Sequence, residues 1–166
     1  MNRASLSSAW RWFVLAAAVV LADQLTKALV LGRFALGERL EVTAFFNMVL
    51  VYNKGAAFSF LSEAGGWQTP LLIAFALVAI GILGTLIVRS PRRRLLCTGF
   101  ALILGGALGN LIDRFRYGQV VDFLDFHAAG WHWPAFNVAD SAISIGAVLL
   151  IVEGFMHHEG RARAPS

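Results

Sequence analysis

Apolar residues arrive along the chain in four long runs, Trp12 to Leu31, Leu71 to Val88, Leu95 to Ile112 and Val138 to Phe155. Each is close to the roughly 18 to 20 residues that an α-helix needs to cross a bilayer core. The pattern predicts a mainly α, polytopic membrane protein with four transmembrane helices over 12–31, 71–88, 95–112 and 138–155. Two longer connections, 32–70 and 113–137, join the first span to the second and the third to the fourth. In the first connection, Leu40 to Val51 is rich in β-branched and aromatic residues and reads as strand. The small and aromatic residues from Ala56 to Leu61 suit a short interfacial helix ended by Gly65 and Gly66. In the second connection Gly118 breaks the helix, and Val120 to Phe126 reads as extended chain. No long linker, low-complexity tract or internal repeat interrupts residues 1–166, so one membrane domain with a small β-rich segment is expected.

Composition sharpens this picture. At 58% hydrophobic and 14% charged, the chain lies far from the roughly 25% charged of soluble domains, which excludes a soluble monomer, a disordered chain and a collagen. The single Cys97 excludes an internal disulfide scaffold, so the fold has to rest on packing. A net charge of +4 invites a nucleic-acid reading, but the basic residues gather at membrane boundaries. Arg3 and Arg11 precede the first span, Arg89, Arg92, Arg93 and Arg94 fill the joint between the second and third, and Arg161 and Arg163 follow the fourth. By the positive-inside rule both termini and that joint are cytoplasmic, and both long connections face outward. A cleaved leader is the alternative for the N-terminus, yet the apolar run continues past Asp23 to Leu31, as a retained helix would. Trp10, Trp12, Trp67, Trp131 and Trp133 fall near the boundaries as interface anchors. Gly105 with Gly109, and Gly81 with Gly84, offer close helix approach.

Ionisable groups inside a span cost several kcal/mol unless paired or hydrated, so each is a candidate for function. Asp23 and Lys27 lie four apart on one helical face and can neutralise each other, as a structural ion pair or as support for a site. Asn110, Asp113 and Arg114 project from one side at the outer end of the third span. Asn137, Asp140 and Ser141 repeat the pattern at the outer start of the fourth. An N-cap with a carboxylate in the first turn would account for Asn137 and Asp140 alone. Two Asn-x-x-Asp units at one membrane depth point instead to a site. Between them, alternation sets Asp122 against the facing of Val121 and Phe123, while Asp125 is expected to be solvated. His127 and His132 lack metal-ligand spacing, and no serine-nucleophile, zinc or phosphate-loop motif is present, so neither metal nor cofactor is expected.

What remains is carboxylate chemistry. Two Asp groups close enough to share a proton divide the work, one acting as base toward water and the other as acid toward a scissile carbonyl. The symmetry of the two Asn-x-x-Asp units would pair Asp113 with Asp140. The motifs Asp23-Gln24-Leu25-Thr26-Lys27, Tyr52-Asn53-Lys54-Gly55-Ala56-Ala57-Phe58-Ser59, Gly109-Asn110-Leu111-Ile112-Asp113-Arg114, Val120-Val121-Asp122-Phe123 and Phe136-Asn137-Val138-Ala139-Asp140-Ser141, in that order, closely resemble bacterial lipoprotein signal peptidase, also called signal peptidase II. The resemblance implies an aspartic endopeptidase of the bacterial cytoplasmic membrane that removes signal peptides from prolipoproteins, cutting before a diacylglyceryl-modified cysteine. It implies Asp122 and Asp140 as the catalytic pair. Asp23, Lys27, Asn53, Gly55, Asn110, Asp113, Arg114 and Asn137 would support them or position substrate, with Asp113 orienting Arg114 or the outer loop. It further implies contact with membrane lipid, binding of the cyclic peptide globomycin and action as a monomer without nucleic acid. The competing class is a non-enzymatic proton-relay or transport component, since intramembrane carboxylates serve there too. The absence of inverted half-repeats speaks against a transporter.

Overall fold

The computed structural model describes residues 3–55 and 67–162, with side chains described from Ser8 to Met156. Four helices are long and apolar enough to span a bilayer: α1 (Arg3–Leu31), α2 (Gln68–Arg89), α3 (Arg94–Tyr117) and α4 (Val138–Ala162). The expected interfacial helix, with Phe58 and Phe60, lies outside the described residues. Four strands, β1 (Arg39–Thr43), β2 (Phe46–Asn53), β3 (Val120–Ala128) and β4 (Trp131–His132), form an antiparallel sheet in the order β1-β2-β3-β4. Leu40 to Val51, read as strand, is divided between β1 and β2 by the turn at Ala44 and Phe45.

The third helix is the centre of the bundle and packs against each of the other three. Lipid tails are as apolar as the side chains, so close backbone approach has to hold such helices together. At Gly106 an added Cβ would meet the Ala139 carbonyl oxygen of α4, and at Gly109 it would lie 2.6 Å from the Asp23 carboxylate of α1. Of the glycine pairs read from sequence, Gly81 and Gly84 do not serve this purpose. A Cβ at Gly81 meets nothing within 4 Å, and one at Gly84 only touches Phe13 at 4.0 Å. The α2–α3 joint is tied to α1 instead, for Trp12 and Arg11 both donate to the Pro91 carbonyl, at 3.0 and 3.1 Å. Trp12 is therefore buried within the protein, whereas Trp10, Trp67, Trp131 and Trp133 are exposed.

At the other end the bundle meets the sheet. Val30 of α1, Leu50 of β2, and Val121 and Phe123 of β3 form a second apolar cluster that seats β3 on the C-terminal end of α1. The third helix runs five residues past the Ile112 expected from hydropathy and ends at Gly118, whose φ of 70° lets the chain turn sharply into β3. This extra turn carries Asp113 and Arg114 on the helix rather than in the connecting loop.

Candidate active site

Lys27 lies at the junction of α1, α3 and the sheet, 2% exposed, and uses all three of its N–H donors. Its Nζ lies 2.9 Å from Asp23 Oδ2 and 2.7 Å from Asp113 Oδ2, and it donates to Asn110 Oδ1 at 3.0 Å. The anticipated ion pair of Asp23 and Lys27 is present, and it forms the floor of a polar cluster. Asp23 Oδ1 accepts the Ala139 N–H of α4 at 2.9 Å, so a carboxylate from the first helix caps the fourth, where the helix dipole favours it. Gln24, quoted only as a motif letter in the sequence, donates within 3.2 Å of Asp23, the Gly109 carbonyl and Asp113, which marks it as a further member. Asp113 does not pair with Arg114. It turns toward Lys27, and its Oδ2 accepts the Val121 N–H at 3.1 Å, which fixes the start of β3. Its bonds thus run to Lys27 and to the connection between α3 and α4, and not to Arg114.

The Gly109 backbone leaves room for this arrangement. Gly to Ala in a helix ordinarily gains about 1 kcal/mol, whereas overpacking a filled site costs about 1 to 3 kcal/mol. Asp23 is fixed by Lys27 and Ala139 and cannot yield to a methyl at 2.6 Å, so the second effect is the larger. Gly109→Ala is expected to lower the thermal unfolding midpoint. A midpoint equal to or above that of the parent would show that Asp23 is not held as described.

Above this floor two amides join two further carboxylates. Asn110 receives Lys27 at its oxygen, which leaves its Nδ2 to donate to Asp140 Oδ1 at 2.7 Å. Asn137 directs its Nδ2 to Asp122 Oδ1 at 2.7 Å, with Asn110 Oδ1 and the Val121 carbonyl both at 3.2 Å. Its oxygen accepts the Asp140 N–H at 2.9 Å, and Asp140 Oδ2 accepts the Asn137 N–H at 3.3 Å. Asn137 thus caps the helix in a reciprocal capping box and bonds Asp122 with the same side chain. Asn53 at the end of β2 donates to Asp122 Oδ2 at 3.1 Å and accepts the Gly55 N–H at 2.9 Å. Arg114 donates to the Gly55 carbonyl at 3.1 Å and to the Asn110 carbonyl at 3.4 Å. The structure therefore brings together Asp23, Lys27, Asn53, Gly55, Asn110, Asp113, Arg114, Asp122, Asn137 and Asp140.

Asp122 is 1% exposed. Burial, then the negative charge of Asp140, push its carboxyl up to about 7, against hydrogen bonds from Asn53 and Asn137 and the charge of Lys27. Asp140 by contrast lines a cleft of about 540 Å³ with Asn53, Gly55, Asn110 and Arg114, whose remaining wall includes Leu72 and Ile143. Beside a largely apolar cleft, two carboxyls of which one is protonated and the other ionised can activate water and protonate a carbonyl oxygen without help from a nucleophilic side chain. Among the described residues, no three His, Cys, Asp or Glu side chains converge to hold a metal ion.

The sequence profile described as "Signal peptidase (SPase) II" matches residues 15–156. This chain belongs to the signal peptidase II family. Membership makes it an aspartic peptidase of a multi-pass membrane type, and the transport reading is not supported. The lipoprotein signal peptidase of Paraburkholderia phytofirmans is 57% identical over 142 residues, which cover 86% of this chain and 83% of that one. That of Cupriavidus necator is 52% identical over 152 residues, covering 92% and 87%. A solved bacterial membrane enzyme superposes with a TM-score of 0.83 at 28% identity over 94% of each chain. A second solved bacterial membrane enzyme gives 0.75 at 31% identity over 86% of this chain and 91% of that one. In this signal peptidase II, one acidic residue departs from its expected place. Asp125, read as solvated, is 4% exposed and bonded by Asn47 and His132. The signal that marks it is its position opposite Asn47 in the sheet, which needs the strand register to be known.

Proposed function

We propose that the chain removes signal peptides from prolipoproteins, cutting before a diacylglyceryl-modified cysteine, with Asp122 and Asp140 as the catalytic pair. The observation that carries this reading is the Asp122–Asn137–Asn110–Asp140 chain of hydrogen bonds, whose Asn110 and Asp140 end lines the cleft. Asp140, exposed to the cleft, takes the proton from water as it attacks the scissile carbonyl. Asp122, which keeps its proton toward neutral pH, donates to the carbonyl oxygen. The resulting tetrahedral species collapses with a proton returned to the leaving amine. Asn110 and Asn137 hold the two carboxyls at fixed orientation, and Lys27 fixes Asn110 so that its N–H points at Asp140. Arg114 and Asn53 hold the Gly55 end of the outer loop at the mouth of the cleft. No step requires a metal or cofactor.

The apolar part of the cleft, with Leu72 and Ala76 from α2, Ala107 from α3 and Ile143 from α4, suits the acyl chains of the substrate's lipid. Such chains already lie in the bilayer, so the gain is position more than affinity. A diacylglyceryl lipopeptide is expected to be cleaved at least tenfold faster than the unmodified peptide, measured on the detergent-solubilised protein. Equal rates would reject the assignment. The peptide inhibitor globomycin is expected to occupy the same cleft, and the enzyme to act as a monomer in the bacterial inner membrane.

The arginines at 89 and 92–94 support an orientation with both termini and the α2–α3 joint in the cytoplasm and the dyad at the outer face. A reporter fused after Arg94 is expected to read out as cytoplasmic. An extracytoplasmic reading would put the cleft on the side opposite to translocated precursors.

A further inference from the structure

Asp122 and Asp140 lie at the two ends of one folded segment. From Asp122 the chain continues along β3, reverses at Ala129 and Gly130, both with positive φ, and returns through β4 to Asn137 and the start of α4. The returning arm is zipped to β3 by backbone bonds, Trp133 N–H to the Phe126 carbonyl at 2.8 Å and Phe136 N–H to the Leu124 carbonyl at 3.1 Å. Trp133, Pro134 and Phe136 of that arm line the cleft. Whatever fixes the two arms against each other therefore fixes both the cleft wall and the separation of the carboxyls.

One buried side chain does this from outside the dyad. Asp125 receives a group from every other strand of the sheet. Asn47 of β2 donates to its Oδ2 at 2.9 Å, His132 of β4 presents Nδ1 at 2.9 and 3.1 Å from its two oxygens, and the Arg39 guanidinium of β1 stands at 3.7 Å. His132 is held in turn by stacking on His127 at 4.9 Å. Burial alone would raise the Asp125 carboxyl, but the bonds from Asn47 and His132 and the charges of His132 and Arg39 outweigh it and hold it below the ordinary range, so it is a full acceptor at neutral pH.

We infer that Asp125 is a positioning residue, and that its clasp on His132 sets the returning arm, and with it Asn137 and Asp140, against Asp122. The inference rests on the assignment of Asp122 and Asp140 as the catalytic pair. If it holds, loosening the clasp lowers turnover while leaving substrate affinity and global stability nearly unchanged, because β4 is two residues long and His132 lies toward the sheet's exposed end. A purely structural Asp125 would instead lose stability and activity together.

The test uses the full-length protein in detergent with a diacylglyceryl lipopeptide. His132→Ala is expected to lower kcat about tenfold with KM within twofold and an unfolding midpoint within a few degrees of the parent. His132→Asn, whose amide N–H can stand near the position of Nδ1, is expected to restore most of the rate. Asp125→Ala, which also strips Asn47 and Arg39 of their acceptor, should be slower still, and adding His132→Ala to it should cost nothing further. Asp122→Asn, run alongside, reports on the dyad independently of the clasp. Parent-like kcat in His132→Ala, or a loss that His132→Asn does not repair, would overturn the inference even where Asp122→Asn is inactive.

Discussion

Asp122→Asn and Asp140→Asn are each expected to slow lipopeptide cleavage by about 10³-fold or more, in line with the 10² to 10⁴ that positioned acid–base groups contribute. An amide matches a carboxyl in shape but can neither take the proton from water nor share one with its neighbour. The fold should survive the change at Asp122. Its carboxyl is already pushed toward the neutral form by burial and by Asp140, so a neutral Asn adds no buried charge and still offers an oxygen to Asn137, while its amide N–H meets the Asn53 donor where an acceptor stood. An unfolding midpoint within a few degrees of the parent is the matching expectation for Asp122→Asn. Because the raised carboxyl of Asp122 keeps its proton until the pH reaches about 7, the parent enzyme should lose rate as pH climbs through that value and Asp122 ionises. Asp113→Asn is the control for this reading. It should leave measurable turnover, because Asp113 bonds Lys27, Gln24 and the Val121 N–H but neither member of the dyad. A dead Asp113→Asn beside an active Asp122→Asn would restore the pairing that sequence symmetry suggests.

Lys27→Met is expected to be the most damaging single change to stability. Removing one partner of a buried ion pair costs about 3 to 5 kcal/mol, since the other partner is left charged and unpaired. Here two carboxylates, Asp23 and Asp113, lose their common counter-ion within the protein interior. The same change frees the Asn110 amide to rotate, so its N–H is no longer directed at Asp140. The expected result is a large drop in the unfolding midpoint in detergent together with loss of cleavage. A stable, active Lys27→Met protein would show that the cluster is not held together by this charge.

The parts of the site legible in the sequence are those that one helix displays by itself. The four-residue spacing of Asp23 and Lys27 and the offsets within Asn110-Asp113-Arg114 and Asn137-Asp140 follow from helical geometry, and the structure keeps them. Which of these units faces which does not follow. Asp122 reaches Asn137 because a hairpin folds the segment after β3 back along that strand, and the turn at Ala129 and Gly130 carries no hydropathy signal that fixes its register. The five shared motifs pointed to Asp122 where spacing favoured Asp113. Asp125 departs from its expected exposure for a related reason. Alternation along a strand gives the face a residue takes, but the neighbours on that face, Asn47 and Arg39, come from distant sequence. Glycines behave alike, in that Gly81 and Gly109 look equivalent in a hydropathic run and only the second meets another helix.

The central claim is that Asp122 and Asp140 flank the reacting carbonyl, and one measurement meets it directly. A crystal structure of the protein with a diacylglyceryl lipopeptide carrying a hydroxyethylene in place of the scissile amide would display the tetrahedral hydroxyl in its bound place. The hydroxyl is expected within hydrogen-bonding distance of both Asp122 and Asp140, with the acyl chains along Leu72, Ala76 and Ile143. A hydroxyl bonded to Asp113 or Asp125, with Asp122 out of reach, would contradict the account.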